Sequence, residues 1–102
     1  MSLTLLLTPE AKQDAQEAFL WYEERSNGLG IDFLSRTEEI LLNIQENPKI
    51  YPVITGAFRR AMVTRFPYMV IFELDTERST CIIYAIFHCS QNPHKWRKRI
   101  RL

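Results

Sequence analysis

The chain has 102 residues, 46% of them hydrophobic and 25% charged, which fits one folded, globular domain over residues 1–102 rather than a disordered chain. No apolar run approaches the ~20 residues needed to span a bilayer, and "LTLLLT" at residues 3–8 is too short, with no basic region before it, for a secretion signal. The formal net charge of +1 conceals an asymmetry: residues 1–56 carry four Lys/Arg against nine Asp/Glu, and residues 57–102 carry nine against three.

That split has two readings. The second half meets something acidic, either nucleic acid or an acidic protein segment, or the two halves neutralise each other across the fold. The cysteines, Cys81 and Cys89, lie eight apart in one strand-like run. Extended chain at about 3.3 Å per residue separates them by roughly 26 Å, too far for a disulfide. Two free thiols fit a reducing, cytoplasmic location. With two His and no further Cys, no zinc site and no cofactor site is expected.

In chain order, "LTLLLT" reads as a short strand. Thr8-Pro9 is a helix start, a hydroxyl cap followed by proline where its missing N–H costs nothing. Ala11, Ala15, Ala18 and Tyr22 then share one helical face, widened by Phe19. "SNG" at 26–28 breaks the helix. A second helix is expected over about residues 29–46, with Phe33, Thr37, Ile40 and Ile44 inward and Leu34 and Leu41 beside them. Asn47-Pro48 stops it, and the short break favours an antiparallel helical hairpin.

"KIYPVITG" reads as a loop. Three strand-like runs follow, over residues 57–65, 68–75 and 80–89, the last two joined by the polar "DTERS". The last run is almost continuously apolar, as expected of a strand covered on both faces. "NPHKWRKRIRL" reads as a short helix or ordered extension. The resulting β-α-α-β-β-β order predicts an α+β domain: an antiparallel sheet with a helical hairpin on one face. The three glycines fall at turns, so no phosphate loop is present.

Several residues are candidates for chemistry. Arg59 and Arg60, adjacent on a strand, point to opposite faces, where they serve either a partner or the solvation of an edge. Parity groups Arg60 with Met62 and Thr64, and Arg59 with Ala61, Val63 and Arg65. His88 ends the last strand and is either a proton shuttle or a hydrogen-bonded structural residue. No Ser–His–acid set and no nucleophile elbow is found. The tail carries Lys95, Arg97, Lys98, Arg99 and Arg101 around Trp96 with no acid. Such a cluster suits phosphates and stacked bases, or an acidic peptide. Trp96 is read as an anchor and the basic residues as a binding surface.

Taken together, the chain resembles the RelE/ParE family of bacterial toxins from type II toxin–antitoxin modules. The marks are "EAFLWYEERSNGLGIDFL", "NPKIYP", "RRAMVTRFPYMVIFEL" and "AIFHCSQNPHKW". The resemblance implies a toxin neutralised by a cognate antitoxin that wraps it in a hetero-oligomer, with no membrane involved. RelE-like members cut mRNA on the ribosome without a metal, whereas ParE-like members are associated with DNA gyrase and plasmid stabilisation. Metal-free RNA cleavage needs a base for the 2′-hydroxyl, cations for the phosphorane and a proton for the leaving oxygen.

On this sequence Arg60 matches one RelE-type position. Met62 and Met69 stand at two others, "SQN" at 90–92 replaces an arginine, and Trp96 stands near a tyrosine. The resemblance is therefore ParE-like, implying a toxin that inhibits gyrase by binding. Arg59, Arg60, Arg65, Trp96, Arg97 and Arg99 are its candidate target or antitoxin contacts. The alternatives are a ribosome-dependent mRNA endonuclease using Arg60 and His88, and a decayed toxin that only binds antitoxin.

Overall fold

The computed structural model describes residues 3–100. Its elements are β1 (Thr4–Leu7), α1 (Pro9–Arg25), α2 (Leu29–Glu46), a 3-10 turn (Pro48–Ile50), β2 (Val53–Thr55), β3 (Phe58–Met62), β4 (Tyr68–Asp75), β5 (Thr80–His88) and α3 (His94–Arg97). The five strands form one sheet in the order β1-β5-β4-β3-β2.

Both helices follow the apolar periodicity. Thr8 caps α1 by accepting from the Ala11 N–H at 3.1 Å, and Ala11, Ala18 and Tyr22 are buried. The buried residues of α2 are Gly30, Phe33, Thr37, Ile40 and Ile44. The turn between the helices is held from a distance: the Glu23 carboxylate of α1 accepts from the Gly30 N–H at 2.9 Å, occupying an otherwise unpaired donor at the start of α2. Gly30 is required there, because a Cβ would lie 2.5 Å from the Phe19 carbonyl oxygen.

Two details of the sheet differ from expectation. The expected 49–56 loop contains a 3-10 turn and the edge strand β2, which pairs antiparallel with β3. And β1 pairs with β5 in parallel, so the sheet is mixed rather than purely antiparallel. The two differences have one cause. With β2 present the chain reverses six times between β1 and β5, and an even number of reversals returns it to its starting direction.

The helical hairpin covers one face of the sheet. There Phe33 packs with Tyr22, Phe66 and Tyr68, and its core continues through Val70, Phe72, Leu74, Cys81, Ile83 and Ile86. The opposite face has a second, smaller core of Ile71, Ala85, Phe87, Trp96 and Ile100. Trp96 and Ile100 therefore pack on the face away from the hairpin. A bulge joins the two faces in β5: Ile71 opposes Ala85 while Phe72 opposes Ile83, leaving Tyr84 supernumerary. Inward residues of β5 change there from odd to even numbers, and that turns His88 to the hairpin side.

Candidate functional site

The basic residues of the second half do not form one patch. Arg59 faces the hairpin side and donates to the Tyr51 and Lys49 carbonyls at 2.8 and 3.3 Å, tying the 3-10 turn to β3. Arg60 is exposed on the opposite face, beside Ile71 of β4. Arg65 is exposed in the β3–β4 turn with φ of 69°, in the left-handed region that L residues other than Asn and Asp rarely enter. Arg97 is exposed on α3, its guanidinium 5.5 Å from the Trp96 ring centre. Trp96 is buried, and its indole Nε1 has no hydrogen-bond partner among the described residues. Arg60 and Arg97 thus share the face away from the hairpin, along with the exposed Lys95 and Lys98.

Arg99 goes elsewhere. It reaches over the edge of the sheet to α1, where both guanidinium nitrogens meet Asp14 at 2.6 and 3.0 Å. It also donates to the Tyr84 carbonyl at 3.1 Å, while Asp14 accepts from the Ile86 N–H at 3.0 Å. β1 covers the edge of β5 only as far as Ile83. Beyond that point the Asp14–Arg99 pair satisfies edge groups that a strand would otherwise bond. The bond to Asp14 outweighs the opposing effect of burial and raises the Arg99 pKa, so the residue is always charged. Among the described residues this is the one ion pair, of three, that joins the acidic and basic halves.

His88 lies in a cleft of about 310 Å³ between α1 and the end of β5, with Glu17, Trp21, Tyr68, Ser90 and Gln91. Its ring meets Tyr68 edge to face at 5.1 Å. The Ser90 N–H donates to His88 Nδ1 at 3.0 Å, and the Ser90 hydroxyl lies 2.7 Å from the same nitrogen. Because a backbone N–H can only donate, Nδ1 is an acceptor and the neutral ring carries its proton on Nε2. Burial, and then the nearby Tyr22 and Asp14, push the Tyr68 pKa up, which keeps its phenol protonated. On the other face, burial and a hydrogen bond to Glu73 do the same for Tyr84.

The RelE-type positions can be placed on this frame. Met62 and Met69 are cross-strand partners on β3 and β4, away from the hairpin. Two thioethers therefore adjoin where the RNA-cutting arrangement implies cations. Asp14, Glu17, Tyr68, Ser90 and Gln91 were not among the sequence candidates. One signal was available for Asp14, a charge bordering the Ala11–Ala15–Ala18 stripe. Among the described residues, no three His, Cys, Asp or Glu side chains gather as a metal site, and no helix is long and apolar enough to cross a membrane.

Comparison with known proteins gives three results. No curated protein sequence matches the chain. Among solved structures, it is similar to the chromosomal ParDE toxin–antitoxin system from P. aeruginosa, with TM-score 0.73 and 16% identity over 84% of this chain and 95% of that one. It is also similar to the toxin–antitoxin complex RelBE2 from Mycobacterium tuberculosis, with TM-score 0.65 and 17% identity over 86% and 99%. At these identities the likeness is one of fold. The family model for the ParE toxin of type II toxin–antitoxin systems, parDE, matches residues 5–93. The chain is a toxin of the ParE family of type II toxin–antitoxin systems.

Proposed function

We propose that this toxin acts in the bacterial cytoplasm by binding DNA gyrase, as part of a plasmid-stabilising module, and that a cognate antitoxin neutralises it in a hetero-oligomer. The observation that carries the reading is the Met62–Met69 pair. RNA cleavage without a metal needs preorganised cations at the phosphorane, and losing one such stabiliser costs about 10²–10³ in rate. Two thioethers at those positions leave an apolar surface, on the face that also carries the exposed Arg60 and Arg97. Such a surface suits an acidic protein partner. An antitoxin fits the same picture, with an acidic or amphipathic segment over this face and the helical hairpin. Two solved structures of similar fold are toxin–antitoxin systems.

The test is a gyrase supercoiling assay with purified toxin in molar excess. Supercoiling should fall, or cleaved DNA accumulate, and Arg60→Glu should weaken the effect at least tenfold. Unchanged supercoiling with no cleavage complex sinks the proposal. A second reading, a ribosome-dependent mRNA endonuclease, is favoured by one observation, the His88 ring whose Ser90 contact leaves Nε2 as a proton donor. Codon-positioned cuts in induced cells would select it. A chain inert in both assays but still bound by antitoxin is what a decayed toxin would give.

A further inference from the structure

Along α1, Glu10, Asp14, Glu17, Trp21 and Arg25 recur at i, i+4, i+7, i+11 and i+15, forming one helical line. Where this line meets β5, an arginine already fills the seam: Arg99 from the C-terminal segment bonds Asp14 with two nitrogens and the Tyr84 carbonyl with one. One turn further on is Glu17, at the mouth of the cleft walled by Trp21, Tyr68 and His88. Glu17 accepts from the Gln13 side-chain amide at 2.9 Å, and none of the three ion pairs among the described residues uses it.

We propose that this cleft receives a guanidinium side chain from a partner protein segment, with Glu17 as counter-charge and Trp21, Tyr68 and His88 as walls. Three observations support a cation. Among the described residues, Glu17 is the only carboxylate lining the cleft, and no Lys or Arg lines it. A carboxylate beside aromatic rings matches the planar, weakly hydrated guanidinium, which stacks and donates at once. And Trp21 already holds a guanidinium, that of Arg25, 3.3 Å from its ring centre. The Nε2–H of His88 complements a backbone carbonyl of the same segment. A nucleic acid is disfavoured, because Glu10, Glu17 and Glu24 of α1 are exposed and would face its phosphates.

The partner's identity as the antitoxin rests on the function proposed above, whereas the chemistry of the cleft does not. The antitoxin would then carry two signs of charge: acidic residues for the face bearing Arg60, and a basic anchor for this cleft.

The experiment titrates the full toxin with the peptide acetyl-Gly-Gly-Arg-Gly-Gly-amide at low salt, following the Trp21 indole N–H by NMR. The buried Trp96 indole, on the other face of the sheet, reports the integrity of the fold. The expected result is a saturable shift at Trp21, at least fivefold weaker in Glu17→Gln and absent when Gln replaces Arg in the peptide. No shift, an equal shift with the Gln peptide, or indifference to Glu17→Gln overturns the proposal. A saturable shift with guanosine monophosphate and none with the Arg peptide also overturns it, making the cleft a base pocket. Peptide binding without gyrase inhibition would leave the cleft assigned and remove only the gyrase reading.

Discussion

The two faces of the sheet are built to different standards. The hairpin face has a deep core in which Phe33, Phe72, Ile44 and Ile83 are fully buried. The other face is covered by a four-residue helix, with Trp96 and Ile100 over Ile71, Ala85 and Phe87. Rings packed in interlocking pairs stabilise the first face, whereas one tryptophan and one ion pair fasten the cover of the second. The lightly covered face is also the one with free cations. The thickest packing and the exposed cations Arg60 and Arg97 therefore lie on opposite sides of one sheet, and substitutions on the two sides should have different sizes.

Phe33→Ala should have the largest effect. It empties a site with no exposure, among three other aromatic rings. The expected loss is about 3–5 kcal/mol in urea unfolding. A loss below that of Asp14→Ala would reverse the ranking of the faces.

Asp14→Ala comes next. It leaves Arg99 without its counter-charge and the Ile86 N–H without an acceptor. Breaking a fully buried pair costs about 3–5 kcal/mol; with Arg99 24% exposed, solvent reduces the expected loss to about 2–3 kcal/mol. In a double-mutant cycle with Arg99→Ala, a coupling of at least about 1 kcal/mol should appear. Additive losses would mean that the two residues act separately.

Trp96→Phe should have the smallest effect. It keeps a ring on the outer core and removes an N–H that is buried without a partner among the described residues. Stability should be unchanged or raised, by less than about 1 kcal/mol. A loss above about 2 kcal/mol would show that the packing of the larger indole outweighs the relief of its N–H.

The two helices, their facing stripes and the break at Ser26–Gly28 are legible in the sequence because their signals are local. Ala11, Ala15, Ala18 and Tyr22 repeat at the helical period, and so do Phe33, Thr37, Ile40 and Ile44. β2 is not legible, since three residues between Pro52 and Gly56 carry too little pattern to separate from a loop. The faces of β5 also mislead, because strict alternation puts Ile83 with Phe87 and Tyr84 with His88. The bulge exchanges them.

The candidate site is the least legible part. Arg59, Arg60, Arg97 and Arg99 look alike in sequence, yet one ties a turn, two face solvent and one crosses an edge. Asp14 meets partners 72 and 85 residues away, a distance over which a single sequence gives no signal.

The bulge at Tyr84 also bears on chain length. The residue is surplus to the β4–β5 ladder, and its carbonyl is the backbone acceptor that Arg99 finds at the edge. Deleting Tyr84 would restore strict alternation and keep every pairing from Tyr68–His88 to Asp75–Thr80 in place. It would also remove the oxygen that helps hold the tail. A change in residue count, with no change in charge, would thus take one of its three hydrogen bonds from Arg99 while the strands keep their pairing.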